Sequence, residues 1–188
     1  GKSYHISNVA RYLKKKRIDF IKVREPGGSF NSEKIRKLIL HKKSNFNKMT
    51  DLLLYLASRS ENIQQLKKFY KKKVILIDRF VDSTIAYQHY GFNVDIKLIN
   101  FLNEFILKDF KVDYTFLNIV NKKNMIKRLK IRNSLNRYDK FNVNFYQKVQ
   151  RGFFKIAKKN KNKYKIINSN LEINNNKNEI IQIVDKLI

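Results

Sequence analysis

Val74-Ile75-Leu76-Ile77-Asp78-Arg79-Phe80-Val81-Asp82-Ser83-Thr84-Ile85-Ala86-Tyr87-Gln88 decides the fold of this chain. The first four residues are an apolar run that follows the solvated link Lys71-Lys72-Lys73, and they read as a buried strand. An acid and an arginine then sit together at the strand's carboxyl end. Ser83, Thr84, Tyr87 and Gln88 come next, spaced for one face of the following helical turns. In open α/β sheets, ligands bind at the carboxyl ends of strands. An Asp at that place can hold Mg²⁺, and an Arg can clamp a phosphate with two parallel hydrogen bonds.

Upstream, Ile6, Val9, Ala10 and Leu13 share a helical face, so residues 3–16 read as a helix. A strand over 18–23 follows, ended by the loop Arg24-Glu25-Pro26-Gly27-Gly28-Ser29, since Pro-Gly-Gly cannot continue it. A short helix over 33–40 and a long one over 48–70 lead into the central run. Downstream, the pattern gives helices over 95–107, 122–132, 139–160 and 176–187, strands over 113–119 and 164–168, and a break over 133–138. Strands alternating with helices predict a parallel sheet with helices on both faces, in one α/β domain spanning 1–188.

Lys and Arg number 42 against 15 Asp and Glu, a formal charge of +27. Such an excess fits a nucleic-acid surface. It also fits an AT-rich coding sequence, because the excess is mostly Lys spread among abundant Asn and Ile. No stripe of interleaved lysines and aromatics stands out, so no dedicated nucleic-acid partner is expected. There is no cysteine, and with it no disulfide framework and no thiolate metal site. No apolar stretch is long enough for a bilayer, so no membrane partner is expected and a cytoplasmic setting is the default. The three histidines are scattered and carry no assigned chemistry.

Gly1-Lys2-Ser3, placed directly before an amphipathic helix, looks like the end of a G-x-x-x-x-G-K-[ST] phosphate loop. Together with Arg24–Ser29, Asp78–Gln88 and the run Arg128-Leu129-Lys130-Ile131-Arg132-Asn133-Ser134-Leu135-Asn136-Arg137, it resembles bacterial thymidylate kinases, P-loop nucleoside monophosphate kinases. The four blocks cover nearly the whole chain. The first is common to all P-loop proteins, and the second and third are specific to this family. The resemblance implies a three-layer P-loop fold and Mg²⁺-dependent phosphoryl transfer from ATP to dTMP, by a homodimer. It also implies a first, central strand and most of the phosphate loop upstream of Gly1. The chain as given is therefore expected to be poorly stable and inactive.

Site roles follow residue by residue from the same resemblance. Gly1, Lys2 and Ser3 would meet the ATP phosphates, with Ser3 and Asp78 toward Mg²⁺. Arg79 would bind the acceptor phosphate and stabilise the transferring group, and Arg36 would assist on the acceptor side. Glu25 and Pro26 would shape the acceptor loop; separately, the tight Pro-Gly-Gly context leads us to expect a cis bond before Pro26. Tyr55, where the family more often has Phe, would stack on the base, and Arg59 would donate to a thymine carbonyl. Ser83, Thr84 and Gln88 would line the base pocket, and Tyr87 would crowd the sugar 2′ position. Arg128, Arg132 and Arg137 fall in the family's lid, about residues 128–139. Arg128 and Arg132 would bind ATP, and Arg132 or Arg137 would act in catalysis. The family's Gly-Glu-Leu-Asp-Arg is here Asn133-Ser134-Leu135-Asn136-Arg137, which leaves the arginines less neutralised.

Each of these positions also has a plainer reading. Lys2 and Arg36 can be solvated, Tyr55 can be core packing among leucines, and Ser83 and Thr84 can cap the helix after Asp82. Two other functions remain open: a kinase for another nucleotide or deoxynucleoside, and a basic nucleic-acid-binding protein.

Overall fold

In the computed structural model, which describes residues 1–131 and 136–188, β1 (Phe20–Arg24) and β2 (Val74–Asp78) pair in parallel. Phe20 lies opposite Val74 and Arg24 opposite Asp78. That register brings the Glu25–Ser29 loop level with Asp78–Arg79, so the two strand ends share one rim. β3 (Thr115–Ile119) and β4 (Tyr164–Asn168) form a second parallel pair, with Thr115 opposite Tyr164. Among the described residues the strands hydrogen-bond as these two separate pairs.

Eight α-helices accompany the strands among the described residues: α1 (Lys2–Lys15), α2 (Phe30–Leu40), α3 (Lys48–Leu66), α4 (Val81–Thr84), α5 (Ile96–Leu107), α6 (Lys122–Lys130), α7 (Val143–Lys159) and α8 (Ile173–Leu187). The expected α/β architecture, parallel strands flanked by helices, is what the chain adopts. Val9 and Leu13 of α1 pack with Ile167 of β4 and with Ile180 and Val184 of α8. On another face, Val23 of β1 packs with Ile63 and Leu66 of α3 and with Phe110. Leu52 and Leu56 of α3 meet Val94 and Ile99.

Most departures from the sequence reading are at element ends. α2 begins at Phe30 rather than at 33, because the Ser29 side chain caps it by accepting from Ser32 N. α3 stops at Leu66 rather than at 70. A 3₁₀ turn, Arg137–Lys140, precedes α7, where the pattern had run the helix from 139. The larger difference follows α4, where Ile85–Gly91 is a π-helix. Phe92 N bonds back to Tyr87 O at 3.0 Å, one residue further than an α-helix reaches. Gly91 and Gly152 allow close approach of this turn and α7. A Cβ on Gly91 would stand 2.7 Å from the Phe145 ring, and one on Gly152 would stand 2.4 Å from the Tyr90 ring.

Candidate active site

The Glu25–Ser29 loop, expected on the acceptor side, is held by α3. Ser58 Oγ accepts from Gly27 N at 3.1 Å, and Asn62 Nδ2 donates to Gly27 O at 2.6 Å. Glu33 on α2 closes the other side: its Oε1 accepts from Gly28 N at 2.8 Å, and its Oε2 pairs with Arg24 at 3.1 Å. Burial pushes the Glu33 carboxyl up, but Gly28 N–H and Arg24 outweigh it, and the net shift is downward. Gly27 and Gly28 have φ of +104° and +109°, a region that side chains rarely adopt. The Glu25–Pro26 peptide is cis, as expected. Arg36 Nη1 donates to Pro26 O at 2.7 Å, which places it at this loop rather than in open solvent.

Arg59 is 1% exposed and Glu25 5%. Their side chains pair at 2.8 Å, and the remaining Arg59 bonds run to Thr84 Oγ1 at 3.0 Å and Asn103 Oδ1 at 2.5 Å. Four of the five guanidinium N–H groups thus have protein partners. The arginine expected at the base edge is therefore also the pin between the acceptor loop, α4 and α5. Thr84, 2% exposed, spends its hydroxyl on this pin rather than on an open pocket wall. The capping alternative for Ser83 and Thr84 is not what forms either: α4 has no side-chain cap, and Ser83 N donates to Phe80 O at 2.9 Å.

Asp78 and Arg79 sit on the rim as read from the sequence. Glu25 N donates to Asp78 O at 2.9 Å, joining the two loops. Asp78 Oδ1 is buried with no hydrogen-bond partner. Such an oxygen suits a hard cation or its water. Arg79 has φ of +70°, an uncommon backbone state for a non-glycine residue and one often found at functional sites. Its guanidinium lies 5.4 Å from the centre of the Tyr87 ring. Interaction with Tyr87, opposed by burial and aided by Tyr55 and Asp78, holds its pKa above the ordinary arginine value.

The residues expected on the nucleoside side fall in a cluster of rings around Tyr138. Its ring meets Tyr55 edge-on at 6.1 Å and Tyr87 at 5.8 Å. Burial raises the Tyr55 hydroxyl pKa to about 12 and also drives that of Tyr138 upward. Beneath the rings lies Asp51, 2% exposed, which accepts from Tyr138 OH at 2.5 Å, from Gln88 Nε2 at 3.2 Å and from Arg137 Nη2. Arg137 also stands 5.3 Å from the Phe46 ring centre. Arg137, expected in the lid, is therefore joined here to Asp51 and to the rings of Tyr138 and Phe46.

At the end expected to meet ATP, Gly1 is the N-cap of α1, and Ser3 is exposed in its first turn. Arg128 of α6 comes to this end: its Nη1 is 3.9 Å from where a side chain on Gly1 would begin, and its Nη2 donates to Ser169 O at 2.8 Å. A helix N-terminus flanked by a lysine and an arginine suits phosphate. Arg132 lies outside the described residues.

A family model for thymidylate kinase matches residues 1–180. The chain belongs to the thymidylate kinase family. It is 36% identical over 188 residues to the thymidylate kinase of Thermosipho africanus, covering 99% of this chain and 92% of that one. Against the thymidylate kinase of Mycoplasma capricolum the identity is 34%, with 98% and 89% covered. The crystal structure of thymidylate kinase from Ehrlichia chaffeensis superposes with a TM-score of 0.77 at 31% identity, over 98% of this chain and 92% of that one.

Several residues in the site were not singled out from sequence: Glu33, Asp51, Ser58, Asn62, Asn103 and Tyr138. Asp51 did leave a signal. It stands four before Tyr55 and eight before Arg59, on one stripe of the helix.

Proposed function

We propose that this chain phosphorylates dTMP, taking the γ-phosphoryl group of ATP and giving dTDP, as part of dTTP synthesis. The observation that carries the reading is the shared rim at the ends of β1 and β2. There, the Glu25–Gly28 loop and the Asp78–Arg79 pair are joined by the Glu25 N to Asp78 O bond. Arg79 would hold the acceptor phosphate and stay charged as the phosphoryl group moves, stabilising the transition state electrostatically. Arg36 and the loop amides would fix the acceptor in line. Lys2 and Arg128 would hold the ATP phosphates at the start of α1, so catalysis is positioning and charge stabilisation without a covalent intermediate.

Asp78 and Ser3 would hold Mg²⁺, which would supply positive charge that offsets the phosphate charge. Among the described residues no three His, Cys, Asp or Glu side chains gather to hold a metal. A Mg²⁺ ion held by one carboxylate together with substrate phosphates needs no such group.

Among the described residues no helix is long and apolar enough to cross a membrane. The test is ATP consumption with dTMP, dUMP, dCMP and dGMP as acceptors. A clear preference for dTMP is expected, and equal use of the four would overturn the reading.

A further inference from the structure

Asp51 is drawn into the ring cluster described above, and three donors converge on it: Tyr138 OH, Arg137 Nη2 and Gln88 Nε2. The last bond settles the Gln88 side chain. An ionised carboxylate only accepts hydrogen bonds, so the amide must turn its nitrogen toward Asp51. The amide oxygen is then the acceptor that Gln88 has left to offer. Gln88 is 1% exposed, and a flipped amide would set two oxygens against each other where water cannot intervene. Tyr138 OH donates to the same Asp51 oxygen as Gln88, Oδ2, and Arg137 holds Oδ1, so Asp51 is fixed and cannot swing away to accommodate a flip.

We propose that Asp51 is the positioning residue for base recognition: by accepting from Gln88 Nε2 it fixes the Gln88 oxygen as the acceptor presented to the pyrimidine edge. This rests on the proposed dTMP kinase reading. Thymine carries an N3–H that such an oxygen accepts. Cytosine has a lone pair at N3, which the same oxygen repels. A site with a fixed acceptor therefore rejects cytosine without touching its exocyclic amine, and the rejection depends on a side chain that does not itself meet the base.

The experiment compares kcat/KM for dTMP and dCMP in the wild type, in Asp51→Asn and in the double variant Asp51→Asn/Gln88→Glu. In the single variant the amide at 51 serves either Gln88 rotamer. The dTMP-to-dCMP ratio is expected to fall about tenfold or more, chiefly through a higher KM for dTMP. The double variant reverses the pair: the amide at 51 donates and the carboxylate at 88 accepts on both sides. Its ratio is expected to return most of the way to wild type.

A merely structural role for Asp51 would lower both substrates equally and leave the double variant no better than the single. Either result overturns the proposal. If Asp51→Asn does not fold, the double variant, which keeps the charge count, is read alone: a wild-type-like ratio supports the proposal and a collapsed one overturns it. A wild type with no preference for dTMP would instead remove the proposed function itself.

Discussion

Glu25 and Arg59 show what a buried ion pair demands of its surroundings. Taking two charges out of water costs several kcal/mol each, which is offset only when nearly every polar atom is paired. Arg59 meets that condition through Glu25, Thr84 and Asn103. Glu25 does so less fully, since its Oε1 is buried with no hydrogen-bond partner. Burial accordingly raises the Glu25 carboxyl pKa, with Arg59 pulling it back. Arg59→Met would remove the pull and leave the desolvation. We expect it to lose about 3–5 kcal/mol of unfolding free energy near neutral pH in urea titrations. A carboxyl whose folded pKa lies above its unfolded one binds its proton more tightly in the folded state. Stability then falls as pH rises through the raised value. The deficit of Arg59→Met should therefore shrink on acidification toward the ordinary carboxylate range. A deficit independent of pH would mean that Glu25 is not the group left stranded.

At the scale of elements, the site is made where short loops meet α3. The sequence made the loops legible because their chemistry is local. Pro-Gly-Gly after a strand forces a turn, and Asp-Arg after an apolar run marks a strand's end. What could not be read were partners far along the chain. Asp51 meets Tyr138 87 residues away and Gln88 37 residues away. Periodicity reports which face a residue lies on, not what it meets there. The π-helical turn over Ile85–Gly91 was illegible for a similar reason, since its residues also suit an ordinary helix. The lid arginine Arg137 was read from its setting in the family, yet here it answers to an acid on another helix.

The acceptor loop gives the sharpest test at this scale. Gly28 has φ of +109°, and a Cβ there would stand 2.3 Å from Val23 Cγ2 and 3.1 Å from Arg24 O. Gly28→Ala must therefore shift the loop against β1. We expect a stability loss of about 1–3 kcal/mol, from strain and overpacking. If the loop shapes the acceptor site as proposed, we also expect a larger fractional loss in kcat/KM for the acceptor than for ATP. Equal losses for both substrates in steady-state kinetics would argue that the loop does not shape the acceptor site.

For the whole molecule, the charge of +27 sets two tendencies against each other. A positive field draws nucleotides in, and it pushes copies of the chain apart. The expected homodimer must form against that repulsion, so it needs apolar surface. α5 offers some: Ile99 and Asn103 face inward, while Phe101 and Phe105 on the other side are 65% and 71% exposed. Screening acts oppositely on the two tendencies. The Debye length shrinks from about 10 Å at 0.1 M salt to about 3 Å at 1 M, and burial of aromatic faces does not weaken with it. Raising NaCl from about 0.1 to about 1 M should therefore increase KM for ATP several-fold while tightening self-association seen by sedimentation equilibrium. Phe105→Lys should abolish the second effect and leave the first. Self-association that weakens with salt would place the contact on charged surface instead and remove α5 as the face that two copies share.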